Sequence, residues 1–149
     1  MTYLTVEYWG MRCRGTRTLV VDDSGYGVID ENARKVFSAG QCHALALAIH
    51  ELTGWPIKGI GNRYNDDEPQ SPAHCVVWCP PLKKYVDIKG AKGRDYYRRR
   101  NNWKVLASNV QPQQVQSFER YLTPNMKAAR VFAKTVLRDL EISTGNLKK

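Results

Sequence analysis

Residues 2–9 alternate, with Leu4, Val6 and Tyr8 on one face and Tyr3, Thr5, Glu7 and Trp9 on the other. That is the period of a half-buried strand. A second extended run covers 17–21 and closes on the turn-forming "DDSGYG". Residues 31–37 predict one short helical turn. "CHALALAIHELT" then reads as a helix that Gly54 stops. "WPIKGIGN" is a short strand leading into the polar loop "NRYNDDEPQSP". "AHCVVWC" and "KYVDIKG" are two β-type runs joined by "PPLK", an antiparallel hairpin or meander pair.

The last third changes character. Val115, Phe118 and Leu122 recur at helical spacing after Pro112, which suits a first turn. In "TPNMKAARVFAKTVLRDLE", Ala129, Phe132, Ala133, Val136, Leu137 and Leu140 form one apolar stripe, opposite Lys127, Arg130, Lys134 and Arg138. Thr123 is the expected cap and Pro124 the expected first position. These patterns predict an α+β domain: a small antiparallel sheet against the helix that begins at Cys42, completed by two C-terminal helices over 108–142. At 149 residues one domain is expected, able to fold without metal or disulfide.

Cysteine placement raises the first chemical question. Cys13, Cys42, Cys75 and Cys79 read as free thiols, because a chain with a sufficient core needs no disulfide framework. Cys75 and Cys79 have a C-x3-C spacing, but both belong to a strand and the turn after it, and a second well-spaced pair is missing. Neither a metal nor another cofactor is expected.

Cys42 stands at a helix start, where unsatisfied N–H groups and a partial positive charge favour thiolate over thiol. The same groups can hold the oxyanion that forms when a thiolate attacks a carbonyl. The small residues "SAG" before it would let a substrate backbone approach. A nucleophilic thiol also needs a base and an orienter. His74 opens one strand of the hairpin and Asp87 lies near the end of the next, so antiparallel pairing brings them to one edge of the sheet. His43 points about 100° away from Cys42 on a helix, and His50 lies two turns on. Both are expected to be structural.

"GQCHALALAIHELTGWPI", "HCVVW" and "KYVDIKGA" together resemble the core of the papain-like cysteine enzymes, in the compact form shared with transglutaminase-like proteins and small phage and bacterial domains. The resemblance covers 38–91. It implies thiol-dependent acyl chemistry on a peptide, isopeptide or side-chain amide, with Cys42 as nucleophile, His74 as base and Asp87 as orienter. Where papain has its oxyanion glutamine this chain has Val36, so Gln41 and the Cys42 amide are the candidate oxyanion groups. The expected substrate is a protein or peptide.

Charge adds a competing reading. With 23 Lys+Arg against 14 Asp+Glu the formal charge is +9, which favours anionic partners. "RDYYRRRNNW", 94–103, concentrates it: Arg94, Arg98, Arg99 and Arg100 interleave with Tyr96, Tyr97 and Trp103. The segment suits an acidic substrate of the enzyme or, as the alternative function, nucleic acid bound through phosphate contacts and base stacking. No apolar run approaches the roughly 20 residues of a membrane span, so no membrane insertion is expected. The N-terminus lacks the pattern of a secretory signal. The expected location is the cytoplasm, including that of a host for a phage or bacterial protein.

Overall fold

The computed structural model describes residues 1–10, 13–62, 72–115 and 122–145. It is an α+β structure with antiparallel sheets. Strands β1 (Thr2–Trp9) and β2 (Arg14–Val21) form a two-stranded ribbon of their own, with Thr2 opposite Val21 and Trp9 opposite Arg14. Val6 and Leu19 are fully buried on one side of it, as the alternation predicts. Helix α1 (Glu31–Val36) packs against the ribbon and is capped by the Asp30 carboxylate, which accepts from the Ala33 amide.

Helix α2 (Cys42–Thr53) runs through the middle of the protein. Every residue from Cys42 to Ile49 is buried, which explains a sequence apolar on nearly all sides rather than along one stripe. Gly54 ends it at φ 74°, donating its amide to the His50 carbonyl.

The main sheet contains β3 (Ile57–Gly61), β4 (His74–Cys79), β5 (Lys84–Asp87), β6 (Gly90–Lys92) and β7 (Lys104–Val110) in the order β6-β5-β4-β3-β7, all antiparallel. Strand parity divides its side chains between two layers. Cys75, Val77, Cys79 and Val86 join the core with α2, while Val76 and Ile60 meet an aromatic cluster on the other face. That cluster is built around α3 (Tyr96–Asn101). The short α4 (Pro112–Val115) follows β7, and α5 (Met126–Thr144) lies along α2, burying Ala129, Phe132, Ala133, Val136 and Leu140.

Three expectations change. Residues 104–110 form the edge strand β7, so 108–110 are not helical; Phe118 lies outside the described residues. "KYVDIKG" is two strands, because the chain turns at Ile88–Lys89 and passes Gly90 at φ 95°. Helix α5 is capped by Asn125, whose side chain accepts from the Ala128 amide, so Thr123 and Pro124 precede the helix. Among the described residues no helix is long and apolar enough to cross a membrane.

Candidate active site

The β4–β5 register pairs Val77 with Val86. By parity, His74 and Asp87 therefore project from the same face, diagonally across the ladder. His74 Nε2 lies 2.9 Å from Asp87 Oδ2, and both residues are 5% exposed. The bond fixes Nε2 as the protonated nitrogen donating to the carboxylate, and so leaves Nδ1 for another partner.

That partner is Cys42. Helix α2 meets β4 at the strand's first two residues, where the Cys42 thiol is hydrogen-bonded with Cys75 and His74. The structure thus brings together the three residues that sequence reasoning chose. His43, next in sequence, is structural, as expected. Its Nε2 donates to the Leu122 carbonyl at 2.7 Å, which holds the ring in the interior. His50 is structural, with Nδ1 donating to the Trp55 carbonyl at 2.8 Å.

The electrostatics form one linked unit. Burial alone would push the Cys42 thiol up, but the hydrogen bonds from Cys75 and His74 and the imidazolium charge outweigh it and hold the thiol well below its ordinary range. Burial would likewise lower His74. Asp87 and the Cys42 thiolate oppose that and carry the imidazole up to about 10. Asp87 is held below the usual carboxylate range despite burial, by His74, by the Tyr97 hydroxyl and by the Lys89 amide. Cys79 supplies the contrast, since it is fully buried in the same sheet and burial pushes its thiol up. Burial by itself therefore does not activate a thiol here; the neighbours of Cys42 do.

In the alternative nucleic-acid reading Tyr97 is one of three aromatics available for base stacking. Instead it is buried, and its hydroxyl donates to Asp87 Oδ2, the oxygen that also accepts from His74. The Lys89 amide donates to Oδ1 at 2.8 Å, so three donors surround one carboxylate. Trp103 stacks on the Tyr97 ring at 6.2 Å between centroids and lies 6.1 Å from the His74 ring. Two adjacent tyrosines in a run of arginines carry no signal of this, because the contact depends on how α3 returns across the sheet.

Gln41 departs from its expected oxyanion role. Its side-chain amide donates to the Glu7 carbonyl and to the Thr123 carbonyl, each at 3.2 Å, and its oxygen accepts from the Asn125 amide at 3.0 Å. Both N–H donors are committed, so this side chain has none to offer an oxyanion. It ties β1, the approach to α5 and the start of α2 together. Loss of these bonds in Gln41→Ala should cost about 2–4 kcal/mol, at about 1 kcal/mol per hydrogen bond plus the penalty for stranded partners. Urea unfolding will measure it. The Cys42 amide, first in the helix, remains the oxyanion candidate.

The small residues before the thiol also have a structural cause. Gly40 is buried at φ 100°, and a β-carbon there would sit 3.0 Å from the Trp9 ring and 3.2 Å from Leu122. Close packing of protein on protein, rather than substrate access, accounts for this glycine.

Arg94, Arg98, Arg99 and Arg100 are all exposed around α3. Arg98 pairs with Asp95 at 3.1 Å, Arg94 lies over Trp78 at 5.0 Å and Arg100 over Tyr96 at 5.8 Å. A cavity of about 200 Å³ here is lined by Arg94, Arg98 and Lys104 over a floor of Tyr97 and Trp103, and so abuts the rings that contact His74. A larger one of about 1000 Å³ lies between α1, the β5–β6 turn and α5, and does not include Cys42 or His74 among its walls. Among the described residues, no group of three or more His, Cys, Asp and Glu side chains is arranged to hold a metal ion. No protein-family model, no curated protein and no solved structure matches the chain.

Proposed function

We propose that the chain is a thiol-dependent acyl-transfer enzyme acting on an amide bond, with Cys42 as nucleophile, His74 as general base and acid, and Asp87 as orienter. The observation that carries this reading is the hydrogen-bonded series from Cys42 through His74 to Asp87, in which a buried thiol is held low while its imidazole is held high. An isolated buried cysteine would show the opposite, as Cys79 does. A helix bearing the thiol, followed by antiparallel strands bearing the histidine and the acid, is also what the resemblance to a compact papain-like core leads one to expect.

The proposed reaction has two acyl-transfer stages. The Cys42 thiolate attacks the carbonyl carbon, forming the C–S bond, and the first N–H groups of α2 stabilise the oxyanion. Collapse breaks the C–N bond, and the imidazolium of His74 protonates the leaving amine. Neutral His74 then deprotonates the acceptor, which attacks the thioester and releases the thiolate. Water as acceptor gives hydrolysis or deamidation, and an amine gives transamidation.

The exposed arginines beside the site favour an acidic protein or peptide substrate. Nucleic-acid binding is the weaker use of this segment, since Tyr97 is turned inward onto Asp87 and its face is covered by Trp103. A cytoplasmic setting accords with free thiols, three of them buried.

The test is adduct mapping by mass spectrometry with neutral and acidic electrophilic peptide probes across pH. Labelling should fall on Cys42 and remain fast near pH 6, where a thiol of pKa about 8.5 is almost wholly protonated and unreactive. Salt should slow the acidic probe and leave the neutral one unchanged. Labelling of Cys42 that tracks pH as glutathione does would refute the reading.

A further inference from the structure

We propose that Tyr97 is a positioning residue of the Cys42–His74–Asp87 site: its hydroxyl and ring together hold the carboxylate and the imidazole in one mutual orientation. The inference rests on the acyl-transfer reading above and deepens it.

Tyr97 is the only buried residue of α3; the other five positions are exposed or half-buried. The helix is thus anchored through one side chain, and that side chain ends on Asp87. Packing alone would be served by phenylalanine. The ring has four aromatic neighbours, Tyr85, Tyr96, Trp103 and His74, at centroid distances of 6.4, 5.0, 6.2 and 5.6 Å. Such a cage allows little ring movement, so the hydroxyl is delivered to a fixed point.

The carboxylate it meets needs that constraint. Asp87 closes β5 just before the turn at Ile88–Lys89, and the Lys89 amide fixes only Oδ1. Oδ2 is shared by His74 and Tyr97. Two donors converging on one oxygen leave the carboxyl plane one orientation, and with it the imidazole one direction for Nδ1 toward Cys42. The tyrosine hydroxyl also stabilises the ionised carboxylate, so that Asp87 stays charged opposite the imidazolium. Around this unit the titratable and charged side chains are Cys75 and His43 near Cys42, Tyr85 and Tyr96 beside Tyr97, and Arg94, Asp95, Arg98 and Lys104 around the cavity that Tyr97 lines.

The experiment compares wild type, Tyr97→Phe and Tyr97→Leu. Phenylalanine keeps the caged ring and removes the hydroxyl, and thermal unfolding of each variant reports its fold. In Tyr97→Phe, turnover of a neutral amide probe should fall about tenfold with KM within about twofold, as expected when ground-state binding is untouched. The low-pH edge of Cys42 alkylation by iodoacetamide should move up by about one pH unit, the equivalent of a tenfold change in a protonation equilibrium. The downfield proton resonance of His74 Nε2–H should also shift. A folded Tyr97→Phe with the wild-type edge, turnover and resonance would overturn the inference and leave Tyr97 a packing residue. If instead wild-type Cys42 shows no enhanced reactivity, the acyl-transfer reading fails. The Nε2–H resonance still decides the positioning claim in that case: unchanged in Tyr97→Phe, it is overturned; shifted, it stands.

Discussion

Cys42→Ala should abolish turnover to the level of the uncatalysed background, because no other group in the site can form and break the acyl bond. The other thiols cannot substitute. Cys75 faces the α2 core from within β4 rather than standing at a helix start, Cys79 is fully buried with its thiol pushed up, and Cys13 is exposed between β1 and β2. The variant should fold, since alanine fits a helix start and removes only one sulfur from the interior. A second readout lies in His74. Burial alone would lower its pKa, and the thiolate is one of the two partners that oppose burial, so the imidazole should fall from about 10 when Cys42 is lost. Intact-mass analysis after incubation with an electrophilic amide probe checks the first claim, and imidazole titration by NMR checks the second. Retained turnover in Cys42→Ala would end the enzyme reading. An unchanged His74 titration would show that the thiol and imidazole are not coupled.

What could be read from sequence was whatever depends on local pattern. The hairpin "AHCVVWCPPLKKYVDI" has a short connection, so its pairing and the parity of its two faces fix which residues share an edge, and His74 and Asp87 follow from that alone. The start of α2 is equally local, bounded by glycine at both ends. Long-range partners were not legible. Gln41 is bonded to residues 34, 82 and 84 positions away, and nothing about a glutamine beside a cysteine indicates whether its amide faces substrate or backbone. Edge strand β7 buries only Val110 and half-buries Ala107, so it lacks the alternation that marks a strand with one face in the core. Helix α3 buries one residue in six, and one residue sets no period. For that reason a run dominated by arginine concealed the group that completes the shell of Asp87.

The two remaining members of the site should separate by degree and by pH. His74→Ala should lower turnover by about 10²–10⁴-fold, the range for loss of a general acid–base group. It should also slow alkylation of Cys42 near neutral pH, since the thiol loses both a hydrogen bond and a positive charge that hold it low against burial. Asp87→Asn should be milder, about 10- to 100-fold, because an amide oxygen can still accept from Nε2 while no longer stabilising the imidazolium. Its pH profile carries the sharper expectation. In wild type, activity by the proposed mechanism should need the thiolate and the imidazolium together, rising with pH through the lowered Cys42 ionisation and falling as His74 loses its proton at about 10. Burial favours neutral imidazole, and Asp87 is what chiefly opposes it. Removing that charge should bring the alkaline limb to lower pH. A less charged His74 then supports the Cys42 thiolate less, so the acid limb should move to higher pH, and the bell should narrow from both sides. The substitution has a structural cost as well. With Oδ2 taken by His74 and Tyr97 and Oδ1 by the Lys89 amide, an asparagine N–H₂ must face one of these donors. A stranded buried donor costs about 1–3 kcal/mol, so Asp87→Asn should unfold at lower urea concentration than wild type. Profiles of kcat against pH for both variants, taken where each is folded, measure this. A bell of unchanged width in Asp87→Asn would remove Asp87 from the mechanism while leaving Cys42 and His74 in it.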